Sequence, residues 1–147
     1  MPMTFEDLPH NWSDLPLTDP VLAADVVDLA LGYWDRLRNS MLVLLCGEDM
    51  RVLQPCIIEG FDWRCTARER GETFRFLHDL PSQIPVHGVI IAISSRTQLP
   101  ADVAGRWLRS ATQELAKSGP SIMHFFSAAA EDQPRLVADA VPPGMAG

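Results

Sequence analysis

Apolar positions recur along this chain with two periods, and the two periods separate helices from strands. In PVLAADVVDLALGYWDRLR, Leu22, Val26, Leu29, Tyr33 and Leu37 recur at steps of four, three, four and four. This single stripe predicts one helix running to the Arg36–Arg38 region. Thr18 or Asp19 caps it, and Pro20 suits the first helical position, where its missing N–H is not needed. Asp25, Asp28 and Asp35 fall largely off the stripe and read as a solvated face. Arg36 and Arg38 sit in the last turn, where cations complement the helix dipole.

Met41 to Cys46 is an unbroken apolar run, the mark of a strand covered on both faces. Gly47, Glu48 and Asp49 turn the chain, and Met50 to Ile58 returns as the second strand of a hairpin. Pro55 has no ladder donor, which puts that stretch at a sheet edge or a bulge. TARERGETFRFLHDL predicts a second helix with Phe74, Leu77 and Leu80 inward, followed by a loop marked by Pro81 and Pro85. VHGVIIAIS reads as a central strand. PADVAGRWLRSATQELAKSGP is a third helix: Pro100 opens it, Val103, Trp107, Ala111 and Leu115 form its stripe, and Gly119-Pro120 stops it. SIMHFFSA is a fourth strand and PRLVADA a short fifth.

The order helix, hairpin, helix, strand, helix, strand predicts an α/β fold. It combines an antiparallel pair with a parallel crossover, giving a mixed sheet in a three-layer αβα sandwich. The expected organisation is an extended N-terminal arm over residues 1–17, one domain over 18–140 and a flexible tail over 141–147. Phe5, Leu8, Trp12 and Leu15 are the arm's packing anchors. A pure dinucleotide-binding order is disfavoured, because no Gly-rich turn and helix follow the first strand.

The bulk numbers narrow the function. A chain of 147 residues suits one domain, and about 70% of the unfolded surface can be buried at this size. The net charge of −7 disfavours sequence-independent nucleic-acid binding, which needs cations against phosphates. Arg64, Arg68, Arg70 and Arg75 lie close together but are diluted by Asp62, Glu69 and Glu72, as on a solvated face. Cys46, Cys56 and Cys65 match no zinc or redox spacing and read as buried thiols of a reducing compartment. There is no basic n-region and no apolar run approaching the ~20 residues of a membrane span, so a cytoplasmic protein is expected.

The segments SMLVLLCGEDMRVLQPCIIEG, ARERGETFRFL, HGVIIAISSRTQLPADVAGRWLRSATQELAKSG and IMHFFSA together resemble the RadC-like branch of the JAB/MPN metalloprotease-like domains. The likeness spans about Ser40 to Ala128 and rests on element order and strand hydrophobicity. It implies a deaminase-like αβα scaffold. In active members of that family a His-x-His pair, an Asp and a Glu build a zinc hydrolase site. Here Ser94 and Arg96 stand at the histidine positions, and neither side chain replaces an imidazole. Asp102 matches the metal-binding Asp after a shortened loop. Glu59 matches the catalytic Glu or is a strand-end surface residue. The resemblance therefore implies a metal-free member with no cofactor. The zinc deaminases are excluded more simply: Pro55-Cys56 lacks the second cysteine, and no His-x-Glu occurs.

His10, His78, His87 and His124 are scattered, and His124 reads as a satisfied sheet histidine. The loop Ser94-Ser95-Arg96 before Asp102 has hydroxyls, a guanidinium and a helix start, which suit a small anion; Asp102 in the first turn opposes one. Ser94 and Ser95 lack the G-x-S-x-G context of a nucleophile. The leading expectation is a non-catalytic interaction or regulatory module, a homodimer in contact through Trp12 of the arm or the Phe61–Trp63 region. The alternative is a small-molecule binder or hydrolase using the loop from Ser94 to Asp102, with Glu59 nearby.

Overall fold

The computed structural model describes residues 14–137. The N-terminal arm before Asp14, including Trp12, and residues 138–147 lie outside the described residues. Five strands form one mixed sheet in the order β2-β1-β3-β4-β5. β1 (Met41–Cys46) and β2 (Val52–Ile58) form the expected hairpin, with Met41 opposite Ile58 and Val43 opposite Cys56. β3 (Gly88–Ser95) lies antiparallel on the other side of β1 and is buried along its whole length. β4 (Ser121–Ala129) runs parallel to β3, and β5 (Arg135–Leu136) closes the order antiparallel to β4.

Strand alternation divides the core in two. Met41, Val43 and Leu45 of β1 share one face with Val89, Ile91 and Ile93 of β3, packed with Val103, Trp107, Ala111 and Leu115 of α5 (Ala101–Ser118). Those four residues are the stripe that the sequence predicts for this helix. Leu42, Leu44 and Cys46 join Ile90 and Ala92 on the other face, under Ala23, Val26 and Val27 of α1 (Pro20–Ala30). Each fully buried aliphatic side chain here contributes about 1.5–3 kcal/mol relative to exposure. Gly88 sits under the sulfur of Met123, only 2.8 Å from where a Cβ would stand. Met123 is the extra residue at a register shift between β3 and β4, so the strand irregularity and the glycine fit together.

Several boundaries differ from the sequence expectation. The first helix is two: α1 ends at Ala30, and α2 (Tyr33–Leu37) starts after Gly32. The Leu31 N–H still closes on the Val27 carbonyl at 2.9 Å, but Leu31 leaves helical geometry. Gly32 then begins a new turn, its N–H donating to the Asp35 carboxylate at 3.1 Å. The break redirects the stripe: Ala23, Val26, Val27 and Leu31 are buried, whereas Leu29 and Tyr33 are exposed. The second helix is also two, α3 (Ala67–Thr73) and α4 (Phe76–Gln83), with Phe74 and Leu77 buried. Thr66 caps α3, its hydroxyl oxygen accepting from the Glu69 N–H at 3.2 Å. Pro81 belongs to α4, not to the loop. β2 begins at Val52 because Met50 turns the hairpin with a φ of 64°. The fifth strand covers only Arg135–Leu136 among the described residues.

Candidate functional site

The residues singled out by sequence gather at one end of the sheet. Ser94 and Ser95 end β3, Asp102 opens α5, and Glu59 follows β2, whose Ile58 lies opposite Met41 as Ile93 does from the other side. The fold brings them to one end but turns most of them to other uses. Ser94 is fully buried, and its hydroxyl donates to the Ser40 carbonyl at 2.7 Å. The Ser94 N–H donates to the same carbonyl at 3.1 Å. Its own carbonyl accepts from the Trp63 indole at 2.9 Å. The Ser95 hydroxyl donates to the Thr97 carbonyl. Asp102 is exposed and pairs with Arg106 one turn along α5 at 3.2 Å; Glu59 pairs with Arg38 at 3.8 Å. Arg96 is exposed, and its carbonyl holds the Ala130 N–H at 3.2 Å. Gln98 reaches β4, where its Oε1 accepts from the Ser127 hydroxyl at 2.9 Å. Its Nε2 is buried without a hydrogen-bond partner among the described residues.

Trp63 is not the half-exposed rim residue that its charged neighbours suggest. It is 5% exposed, stacked on Phe61 with centroids 4.9 Å apart and edge-on to Trp107 at 5.1 Å. The Trp107 indole donates to the Trp63 carbonyl at 2.8 Å. Two indole N–H groups thus satisfy two buried carbonyls, which lets both rings enter the core. Phe61 is half-buried in the same cluster.

Arg36 is the largest surprise. Instead of decorating a helix end, it is buried between α1, α2 and the end of β4. Its Nε donates to the Leu31 carbonyl at 2.8 Å. Nη1 donates to the carbonyls of Ala129 at 3.0 Å and Asp132 at 2.9 Å. Nη2 meets the Asp28 carboxylate at 2.7 Å. One planar guanidinium so caps the carbonyl end of α1 and anchors the turn after β4. Nothing local in the sequence marks this burial, because the Ala129 and Asp132 carbonyls come from the far end of the chain.

A second polar cluster joins α4 to α5. Glu114 is nearly buried and accepts from the Lys117 ammonium at 3.1 Å, with Arg75 at 3.9 Å. The His78 ring nitrogen lies 2.8 Å from the Glu114 carbonyl. The Lys117 hydrogen bond holds the Glu114 carboxyl below its usual range, against the opposing effect of burial. The His124 ring nitrogen lies 3.0 Å from the Leu17 carbonyl, in keeping with a satisfied sheet histidine. Burial, assisted by Asp49, pushes the Cys46 thiol up to about 11, and burial also raises Cys56 and Cys65.

One aromatic pair faces outward. Trp34 is 70% exposed and Tyr33 47% exposed, ring edge to ring face with centroids 5.4 Å apart. Trp34 follows Tyr33 in the chain, and with the break at Gly32 both stand on α2 at the surface. No group of three His, Cys, Asp or Glu residues able to hold a metal occurs among the described residues, and none of their helices is long and apolar enough to cross a membrane. The chain matches no protein-family model, none of the curated proteins and none of the solved structures.

Proposed function

We propose that this chain is a self-associating interaction module rather than an enzyme, built on a metal-free scaffold of the JAB/RadC-like kind. The observation that carries this reading is the exposed Trp34–Tyr33 pair on α2. Large aromatic side chains are the residues that most often dominate protein interfaces when buried there. A symmetric dimer buries the same patch from both partners, so this one pair serves twice. The contact moves away from the Phe61–Trp63 region, whose rings are committed to the core.

The loop at the end of β3 supports the same reading. Its two hydroxyls point at backbone carbonyls, as the corner of a fold requires. Sedimentation velocity over a concentration series tests the proposal. The expected result is a reversible dimer, with Trp34→Ala weakening association about tenfold or more. A chain that stays monomeric throughout defeats it.

A further inference from the structure

Two thioether sulfurs crowd one point over the first residue of β3, at the end of the sheet away from Ser94 and Ser95. Gly88 has no Cβ, and the place a Cβ would take lies 2.8 Å from the Met123 Sδ and 3.3 Å from the Met50 Sδ. Irregular backbone delivers both sulfurs. Met123 is the residue left over at the register shift between β3 and β4, and it packs on the face of the sheet that α1 covers. His124 is on that face too, its ring tilted against Phe126 with centroids 6.0 Å apart. Met50 turns the hairpin at a φ of 64°, a left-handed conformation that disfavours any residue with a Cβ.

Leu17 ties His124 to Met50. The Leu17 N–H donates to the Met50 carbonyl at 2.9 Å, and the Leu17 carbonyl stands 3.0 Å from His124 Nε2. A carbonyl only accepts, so Nε2 carries the proton and the neutral ring keeps its lone pair on Nδ1. Metal-binding histidines are commonly held this way, with the far N–H on a backbone carbonyl. Met50, Met123 and His124 are all partly exposed, so a solute reaches them.

We propose that Met50, Met123 and His124 form a site for a soft monovalent metal ion, copper(I). Two thioethers and a neutral imidazole carry no charge. Such a set suits one soft positive charge and disfavours a harder divalent ion, which needs anionic partners when withdrawn from water. A sulfur ligand stands about 2.3 Å from a first-row metal, and the rotatable bonds of methionine let both sulfurs close on one ion. Packing asks only for volume over Gly88, which leucine supplies as well; ligation asks for sulfur, and both irregular positions carry it. Cys46 lies opposite Gly88 but stays outside the set. It is fully buried, and its thiol is turned to the Leu44 carbonyl at 3.8 Å.

Anaerobic titration with copper(I), in competition with bicinchoninate, tests the site. Cys56→Ala and Cys65→Ala together remove the two partly exposed thiols that would compete. The resulting chain takes up one equivalent, and the methyl resonances of Met50 and Met123 shift together as it does. Met50→Leu and Met123→Leu conserve volume, and each weakens uptake about tenfold or more. The Ile91 amide in β3 stays protected from exchange throughout, which shows that the sheet is intact. In the parent chain, taken past three equivalents so that both thiols are filled, the same two methyls shift. The inference is overturned if those methyls stay still in both chains. It is equally overturned if uptake is as tight with both methionines replaced, which would make Cys46 or another donor the ligand.

Discussion

The two flanks of the sheet are finished by opposite means. On the β2 flank, the Ser94 N–H to Ser40 carbonyl bond fixes the pleat of β1, so Val43 and Leu45 address β2 while Leu42 and Leu44 address β3. Pro55, opposite Leu44, therefore presents its nitrogen to solvent. The missing donor falls on the outer edge, where it obstructs pairing with another strand. Leu53, Ile57 and Ile58 are exposed along this edge, so the proline guards apolar surface. On the β4 flank no proline lies within the strand. That edge is pinned at one end by Arg36 and left open among the described residues at the other. One flank is finished by a missing donor, the other by a buried cation that holds the turn after β4.

The largest expected effect comes from breaking the pinned end of the β4 flank. Arg36→Ala leaves the Asp28 carboxylate and the carbonyls of Leu31, Ala129 and Asp132 without their donor. The expected loss is about 3–5 kcal/mol, read as a lowered urea midpoint. A loss under about 1 kcal/mol would mean that water replaces the guanidinium and that the clamp is dispensable.

The blocked flank is tested by unblocking it. Pro55→Thr restores an outward N–H beside Leu53 and Ile57. Stability should move by no more than about 0.5 kcal/mol, as at most surface sites. The readout is association: the variant should form larger species at concentrations where the parent chain does not. Identical sedimentation of the two would show that the proline is not what protects this edge.

The smallest effect concerns α5, whose Leu115 shares a core cluster with Phe125 of β4. The folded Glu114 carboxyl lies below its unfolded value, chiefly through Lys117. The stability this gives is complete above the ordinary glutamate range and is lost as pH falls through the depressed folded value. Glu114→Gln should therefore lower the urea midpoint slightly at neutral pH and converge with the parent chain in acid. A difference that persists unchanged in acid would assign the effect to packing instead.

The strands and α5 were legible in the sequence because burial on both faces leaves continuous apolar runs, and a long helix repeats its stripe several times. The helix breaks were not. The steps from Leu22 to Leu37 have a helical period throughout, and only Gly32 among them resists continuation. The surroundings of the candidate site were less legible still. Trp63 sits between Asp62 and Arg64, yet its burial is decided by the Ser94 carbonyl, distant in sequence. Arg36 is buried because two stretches far apart in the sequence, 28–31 and 129–132, bring oxygens to it, and no local pattern encodes such a convergence. Ser94 and Ser95 were placed correctly at a strand end, but the direction of a hydroxyl depends on which carbonyl stands beneath it.

The order β2-β1-β3-β4-β5 has a consequence for how the chain is made. Once the first hairpin exists, every later strand adds on the β1 side, β3 beside β1, β4 beside β3 and β5 beside β4, so assembly can track synthesis from the ribosome. The hairpin's far side receives nothing further and is exposed longest during elongation. A built-in stop at Pro55 protects the nascent protein from the moment that hairpin emerges, well before the last strand is available to finish the growing side.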